Sequence, residues 1–489
     1  MGPAPKLSPS PPPAPAFESG KTVKKIRGLI WLYFFLLIFE GTFRKWIVPQ
    51  FSDVLLIVRD PVVIAIYLLA VKAKVFPRNG YILSLAIISF LSCLVSFVVL
   101  QPFLGLQPMV LVTGYGFRSN FLHLPLIFVM GKVMDEDDVK KLGWWVLFGL
   151  IPMCVLLALQ FSSAPDAFVN RTAGLGETQQ ITAGGGKIRP PGTFSFGSGI
   201  VFYAALSASY LLYASLSRGL YRNWLLYSAG LALVVTVGVS GSRSVLLAVL
   251  VVLASLVALL FFRPSAVNQF ARNLLIVVVV LLVASRLPVF NEGIQVLSDR
   301  FTGAAEAEET SIAGGLAARM LGGFIEGFQL LTRAPIGGYG LGIGTNGGAK
   351  FLTGRAIFLL TEGEWGRVVL ESGPILGLAF LVWRTMLTFK IGLISLRKLK
   401  EGNILPIMLY AAGFLALLNG QFGQPTTLGF ATFLCGLCLA ATNRQTTGLE
   451  LGPEEADDPR RRRTARRSRY AEQLHSIPAR RHPDDFVNR

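Results

Sequence analysis

Hydrophobic positions in this chain are grouped into long blocks rather than alternating with polar ones. Tyr81–Leu100, Ser244–Phe262 and Asn273–Val283 contain no charged residue. A helix needs about 20 apolar residues to cross the hydrocarbon core of a bilayer. The blocks therefore predict an all-α polytopic membrane protein with about twelve transmembrane helices. The predicted spans are roughly residues 28–47, 54–72, 81–100, 106–130, 141–161, 198–217, 222–239, 244–262, 273–289, 365–387, 403–419 and 425–442.

The composition supports the membrane class. The 489 residues are 52% hydrophobic and 15% charged, with a mean hydropathy of +0.56. Soluble domains average roughly 25% charged residues. The net charge of +18 comes largely from an arginine-rich tail, which includes Arg460–Arg463, and from short loops between the blocks. This distribution follows the positive-inside rule, so we expect a lipid bilayer and not a nucleic acid as the partner.

The same rule orients the chain. Lys21, Lys24 and Lys25 place the N-terminus in the cytoplasm, and the arginine-rich tail places the C-terminus there too. The two long loops then face outward. The predicted division is a disordered cytoplasmic tail (1–27), nine spans (28–289) with an outer loop (162–197), a large periplasmic loop with short amphipathic helices (290–364), three spans (365–442) and a basic disordered cytoplasmic tail (443–489).

Several charged residues fall inside predicted spans, where they are costly and are often functional. Glu40 and Arg44 are four residues apart, so they share a helical face and can pair. Arg59 and Asp60 follow in the next span. Each of the four has an opposite charge nearby, so we favour structural ion pairs between helices over a direct functional role. Arg118 has no acid near it in sequence, and it lies where residues 103–133 could form one span or two.

The two outer loops are rich in glycine and in basic residues. In the first loop, Gly184–Gly186 and Pro190–Pro191 are expected to exclude regular structure, and Arg189 brings positive charge to the membrane face. In the second loop, an amphipathic helix is predicted around Arg319, and the glycine-rich stretch 337–348 follows it. That stretch is not preceded by a strand or followed by Lys-Ser/Thr, which argues against a nucleotide-binding fold.

At the start of the tenth span, Glu364, Arg367 and Glu371 are spaced by three and four residues, which places them on one helical face. One interpretation is a solvated helix start with favourable acids, and the other is a catalytic group, for which Glu362 is a further candidate.

These local patterns resemble those of the O-antigen ligase and O-antigen polymerase family of bacterial membrane proteins. The turn SGSRS around Arg243 is similar to the family's Ser-Arg-Gly turn, with Ser244 in place of Gly. The segment AARMLGGFIEGFQLLTRAPIGGYGLG is similar to its Arg-x3-bulky…Pro-x-Gly-x-Gly stretch. RPPGTFSF and Glu371-Ser-Gly373 resemble two further family patterns, and the order of all four agrees with the family plan.

The resemblance implies a GT-C-like glycosyltransferase in the bacterial inner membrane. Family members transfer a glycan from a polyprenyl diphosphate to a hydroxyl of a glycan acceptor. We therefore expect Arg243, Arg319 and Arg189 to hold the diphosphate, because arginine forks match phosphate oxygens. Glu362 or Glu364 is expected to act as base, with Arg367 positioning it. No cofactor or metal is expected.

The sequence is compatible with more than one function. Ligases of the family usually carry a histidine before the Glu-x-Gly element, and this chain has Glu362 and Glu364 there instead. That difference favours a polymerase of surface polysaccharide repeat units over an O-antigen ligase that uses lipid A-core as acceptor. A transporter of glycans or lipid-linked oligosaccharides, and a membrane scaffold with a basic tail, are the alternatives of other classes.

Overall fold

The structure is a computed structural model that describes residues 16–174, 180–217, 219–262, 279–307, 312–355 and 357–443. For residues 16–19, 257–262, 303–307 and 312–320 only the backbone is described. The described part is 75% helical, and its sheet content is one two-stranded hairpin. An all-α membrane protein is therefore confirmed at this level.

The first half of the described chain contains seven helices. They are α1 (Ala16–Thr42), α2 (Ser52–Leu55), α3 (Arg59–Lys72), α4 (Gly80–Leu100), α5 (Leu106–Phe117), α6 (Leu126–Val133) and α7 (Glu136–Ser162). Two π-helical turns, Phe43–Ile47 and Arg118–Leu122, follow α1 and α5. Short 3-10 turns lie at Pro49–Phe51 and Phe168–Asn170.

The second half opens with an antiparallel hairpin of β1 (Thr182–Gly184) and β2 (Lys187–Ile188). The labelled helices that follow are α8 (Ser198–Leu216), α9 (Asn223–Val239), α10 (Arg243–Phe262), α11 (Pro288–Ala307), α12 (Ile312–Leu330), α13 (Asn346–Thr353), α14 (Glu364–Lys400), α15 (Leu405–Asn419) and α16 (Pro425–Ala440).

Six helical segments among the described residues are long and apolar enough to cross a membrane. They are Gly20–Ile47, Pro49–Lys72, Gly80–Leu100, Glu136–Ser162, Ser198–Leu216 and Glu364–Lys400. Four shorter apolar helices accompany them, at Asn223–Val239, Arg243–Leu256, Leu405–Asn419 and Pro425–Ala440.

Helix α4 shows why such a segment suits lipid. Large apolar side chains recur along its exposed face, and small serines occupy its buried face. The exposed residues are Leu83, Ile87, Phe90, Leu94 and Val98, and the buried ones are Ser89, Ser92 and Ser96. This polarity is the reverse of that of a helix on a water-soluble protein. Small polar residues between helices are typical of helix packing inside membranes.

Helix α16 lies in the middle of the bundle. Every residue from Pro425 to Cys438 is buried. Close packing depends on glycines where neighbouring helices approach, because a Cβ at Gly413 would lie 2.7 Å from Leu434 Cβ and one at Gly436 would lie 2.6 Å from Met130 Sδ. Cys435 and Cys438 are buried free thiols.

The bundle has two ends. At one end, which we call the loop end, Arg44 Nη1 contacts Ser195 Oγ at 2.8 Å and Ser198 Oγ donates to Gln424 Oε1 at 3.1 Å. At the opposite end, Arg27 Nη1 contacts Asp138 at 2.7 Å and Asn403 Nδ2 donates to Glu136 Oε2 at 3.1 Å. Helices in this bundle run from one end to the other, so residues distant in sequence meet at each end.

Several expectations are corrected. Helix α1 begins at Ala16, so residues 16–27 are helical rather than disordered. Residues 103–133 form two helices, α5 and α6, separated by a π-helical turn. Gly185 and Gly186 do not exclude regular structure. With φ of +57° and +73° they form the tight turn of the β1–β2 hairpin, which needs residues that tolerate positive φ. At the start of α7, Asp135 is the N-cap, and its side chain accepts from the Asp138 backbone N–H at 2.9 Å.

Three predicted regions lie partly or wholly outside the described residues. These are the N-terminal stretch 1–15, part of the ninth predicted span (273–289), and the basic tail from residue 444 onward.

Candidate functional site

A buried network of two acids and two arginines organises the start of α14. Arg367 contacts both oxygens of Glu364, at 3.0 Å from Nε and 3.0 Å from Nη2. Its Nη1 contacts Glu371 Oε2 at 2.7 Å. Arg384 lies 20 residues after Glu364, on the other side of a kink in α14, and contacts Glu364 Oε1 at 2.7 Å. We call Glu364, Arg367, Glu371 and Arg384 the neutral network, because two carboxylates balance two guanidiniums.

The neutral network also fixes the glycine-rich loop. Glu371 Oε1 accepts from the Gly344 backbone N–H at 2.9 Å, and Asn120 Oδ1 accepts from Arg367 Nη2 at 2.7 Å. Next to it α14 kinks at Gly373, whose φ is +77°, and the loop packs into the kink. There the Tyr339 N–H donates to the Leu370 carbonyl at 2.7 Å. A bulkier residue at the kink would collide with the loop.

This geometry limits what the network can do chemically. Glu364, Arg367 and Glu371 are 3%, 3% and 1% exposed, so the interpretation as a solvated helix start is wrong. Both oxygens of Glu364 already accept charge-assisted hydrogen bonds from two arginines. A general base has to lie within reach of the proton that it takes, and Glu364 is buried behind these contacts. In this conformation Glu364 holds Arg367 and Arg384, and Arg367 in turn holds Glu371, the acid that accepts from the loop.

Glu362 has a different environment. It is exposed, two residues before α14, and its backbone carbonyl accepts from Gln421 Nε2 at 2.7 Å. Glu326 on α12 lies beside the same turn, where the Thr361 hydroxyl donates to its carboxylate. Of the two glutamates singled out from the sequence, Glu362 is the one that can be reached from solvent, and Glu326 is an additional acid that the sequence did not single out.

A second buried group surrounds the C-terminal end of α1. Glu40 contacts Arg44 Nη1 at 3.3 Å and Arg59 Nε at 3.2 Å, so one acid joins two helices. Arg59 Nη2 also donates to the Pro425 carbonyl at 2.6 Å, at the start of the central helix. Lys45, 1% exposed, donates to the Gly192 carbonyl at 2.5 Å.

Asp60 completes this group from the other side. Its partner is not the adjacent Arg59. Asp60 Oδ2 contacts Arg118 Nε at 2.6 Å, and Oδ1 contacts His123 Nε2 at 2.9 Å. The opposite ring nitrogen of His123 lies 3.0 Å from the Tyr33 hydroxyl. Arg118, which lacked a nearby acid in sequence, therefore has one across the bundle.

The charges in this second group do not balance. Three arginines stand against two acidic side chains, an excess of one positive charge with His123 neutral and before Lys45 is counted. We call the group the positive cluster, and it consists of Glu40, Arg44, Lys45, Arg59, Asp60 and Arg118. Buried unbalanced charge is costly in a membrane protein and usually marks function. The positive cluster thus carries a net positive charge, whereas the charges of the neutral network balance, although both groups are buried.

A third set of charges lies at the surface of the loop end. Arg243 stacks on Phe301 of α11, with 5.8 Å from Cζ to the ring centroid. Arg300 of the same helix donates to the Gly241 carbonyl. The β1–β2 hairpin packs on the turn between α9 and α10, since a Cβ at Gly241 in that turn would lie 2.8 Å from Ala183 Cβ.

The hairpin adds its own basic residues to the same surface. Arg189 Nε donates to the Thr182 carbonyl at 3.1 Å, and Lys187 pairs with Glu292 of α11 at 2.9 Å. We call this surface the basic rim, and it consists of Lys187, Arg189, Arg243 and Arg300.

Arg189 and Arg243, both expected from the sequence to hold a diphosphate, lie in neighbouring segments, the hairpin and the α9–α10 turn. Arg319 belongs to α12, but its side chain lies outside the described residues. Helix α12 packs on the start of α14 through Phe324, whose ring centroid is 4.6 Å from that of Trp365. The sequence did not indicate Asn120, His123 and Arg384 as partners of these charged residues. Each contacts a residue that is distant in sequence, so no three- or four-residue spacing marks the pair.

These features define an α-helical membrane protein with buried charge at the loop end. Comparison with models of known protein families and with curated protein sequences finds no match. Among the described residues, no group of three or more His, Cys, Asp or Glu side chains is arranged to hold a metal ion.

Proposed function

We propose that this protein is a membrane glycosyltransferase that polymerises polyprenyl-diphosphate-linked oligosaccharide repeat units of a surface polysaccharide. In this proposal it spans the bacterial inner membrane about twelve times with a GT-C-like fold, and both termini are cytoplasmic. Exposed basic residues at the ends of helices opposite the loop end, including Lys132, Arg222 and Arg397, support that orientation.

The observation that carries the proposal is the basic rim. Three segments far apart in sequence, the β1–β2 hairpin, the α9–α10 turn and α11, contribute positive side chains to one surface. A departing diphosphate needs such counter-charge, and arginine forks supply it with two parallel hydrogen bonds. Positioned charges stabilise a developing anion strongly where water is excluded.

The roles follow from position. Arg243 and Arg189 hold the diphosphate, and Arg319 joins them from α12. The acceptor hydroxyl attacks the anomeric carbon of the donor sugar, and the bond from that carbon to the diphosphate oxygen breaks with its electron pair. Glu362 takes the proton of the hydroxyl. Arg367 holds Glu364 and the adjacent turn in place and acts as a positioning residue.

Deletion of the gene distinguishes the possible functions. Loss of long surface chains, with single repeats still attached to the lipid carrier, is the result expected of a polymerase. Full-length chains stranded on the carrier would instead mean an O-antigen ligase that uses lipid A-core as acceptor. Lipid-linked repeats retained on the cytoplasmic face would mean a transporter, and an unchanged surface glycan would refute all three.

Substitutions test the residues. Arg243→Ala and Glu362→Gln should each abolish polymer in cells while the protein remains in the membrane at its normal level. Arg222→Ala is the matched control, because Arg222 is exposed at the opposite end of the bundle. Undiminished polymer from Arg243→Ala would remove that arginine from the diphosphate site.

A further inference from the structure

Residues 51–57, just before α3, enclose two arginines of the positive cluster. The Ser52 carbonyl accepts from Arg44 Nε at 2.9 Å, and the Leu56 carbonyl accepts from Arg118 Nη2 at 2.6 Å. Two arginines that are 74 positions apart in the chain are thus both held by one short segment. The Tyr115 ring lies beside them, 5.1 Å from Arg118 Cζ and close enough to both guanidiniums for electrostatic interaction.

Both arginines lie in π-helical turns, Phe43–Ile47 and Arg118–Leu122. A π-turn inserts one residue into a helix, and such turns are frequent at functional sites. Here each turn breaks the helical spacing at the residue whose guanidinium points into the positive cluster. The two turns therefore help to direct the Arg44 and Arg118 side chains into the positive cluster.

Neither arginine has used all of its donors. Arg118 is 4% exposed, and its Nη1 has no hydrogen-bond acceptor among the described residues. Arg44 makes its side-chain contacts through Nε and Nη1, which leaves its Nη2 without an acceptor in the same part of the chain. A buried guanidinium donor without an acceptor, such as Arg118 Nη1, is destabilising, and the surrounding excess of positive charge adds to the cost. An anion between the two guanidiniums would relieve both.

The outer surface of the enclosing segment is apolar. Phe51, Val54 and Ile57 are 55%, 63% and 43% exposed, while the carbonyls of the same segment face the arginines. An amphipathic ligand with an anionic group and a hydrocarbon chain matches this arrangement. Its anionic group would meet Arg44 and Arg118, and its chain would lie along the apolar residues.

We propose that Arg44 and Arg118 form a binding site for a phosphate or diphosphate group of a lipid, separate from the basic rim. This deepens the proposed function, on which it rests for the view that the lipid is a polyprenyl carrier. The site assigns a ligand role to Arg44, which the sequence placed in a structural pair, and to Arg118, to which it gave no role. Asp60 and Glu40 hold the two guanidiniums in place.

The test measures binding to the full-length protein in a non-ionic detergent free of phosphate. The probes are polyprenyl diphosphate, polyprenyl monophosphate and inorganic diphosphate. Arg118→Lys and Arg44→Lys are the informative variants, because lysine keeps the charge opposite Asp60 or Glu40 but removes the fork. Arg222→Lys is the control. Elution profile and melting temperature of each variant establish that it is folded.

We expect both fork variants to weaken lipid phosphate binding at least tenfold, about 1.4 kcal/mol, with Arg222→Lys unchanged. Inorganic diphosphate should compete but bind more weakly than the lipid; equal affinity would assign the site to the phosphate group without a contribution from the apolar surface. No binding to the wild type, or full affinity in folded Arg118→Lys and Arg44→Lys, would overturn the proposal.

The outcomes separate this site from the proposed function. Arginine-dependent lipid phosphate binding together with a normal surface glycan in the deletion strain would keep the site and refute the polymerase. A lost polysaccharide in the deletion strain together with unaltered binding by the fork variants would keep the function and refute the site.

Discussion

Neutralising Glu364 separates its structural role from a catalytic one. Glu364→Gln leaves Arg384 and Arg367 facing a neutral amide, so the network gains one uncompensated positive charge. Arg384 is fully buried and its contact with Glu364 is 2.7 Å, so no water replaces the lost partner. Removing one member of a buried ion pair costs about 3–5 kcal/mol. We expect Glu364→Gln to lower the free energy of unfolding by that amount.

The compensating variant sharpens the prediction. Glu364→Gln/Arg384→Met removes one negative and one positive charge, so the remaining Arg367–Glu371 pair, at 2.7 Å, is balanced again. The double variant should therefore be more stable than the sum of the two single changes implies, by about 2 kcal/mol, within the usual range for residues in direct contact.

The assay is reversible unfolding of the purified protein in mixed micelles with increasing SDS, analysed as a double-mutant cycle. Glu362→Gln is the matched control, because Glu362 is exposed and its substitution should change stability by less than about 0.5 kcal/mol. If Glu364→Gln unfolds like the wild type but makes no polymer, Glu364 is a base and the structural assignment is wrong. Strict additivity in the cycle would also contradict the reasoning.

Three further outcomes are expected. Gly338→Ala should destabilise the protein more than Gly354→Ala. Both glycines have positive φ, +70° and +74°, but a Cβ at Gly338 would lie 2.5 Å from the Gly373 nitrogen, whereas one at Gly354 would meet nothing within 4 Å. Equal melting temperatures of the two variants would show that the loop is not packed into the kink. Tyr33→Phe should cost about 1–3 kcal/mol, because the buried His123 nitrogen loses its 3.0 Å partner, and an unchanged SDS unfolding midpoint would argue against that contact. Cys435 and Cys438 should resist maleimide in the folded protein and react after unfolding, and mass spectrometry of labelled peptides would expose any error in their burial.

Apolar blocks and short-range spacing were enough to predict much of the helical framework. The segment around Leu83 was predicted within one or two residues of the observed α4, because an uninterrupted apolar run that long has few alternatives to a helix in lipid. The pairing of Glu364, Arg367 and Glu371 on one face also followed from helical spacing. The hairpin at Gly185 was not predicted, since glycine pairs were interpreted as breakers and not as a tight turn.

Partners that meet across the bundle could not be found in this way. Asp60 appeared to belong to the adjacent Arg59, yet it contacts Arg118 and His123 instead. On a helix, consecutive residues point in different directions, so Arg59 and Asp60 face different neighbours. Arg384 gave no local signal at all, because its acid lies 20 residues earlier on the same kinked helix. Which residue supplies each counter-charge depends on helix packing and not on sequence distance.

The central position of α16 has a consequence for how the protein is made. This helix is the last described one in chain order, so the ribosome delivers it after all the helices that surround it. Until then, α6, α8 and α15 have no partner for the faces that enclose it, and the start of α16 cannot yet receive Arg59. Insertion of the early helices can proceed one at a time, but assembly has to wait for the end of translation. A chain released before residue 425 would leave the faces that α16 covers exposed, and such surface favours misassembly.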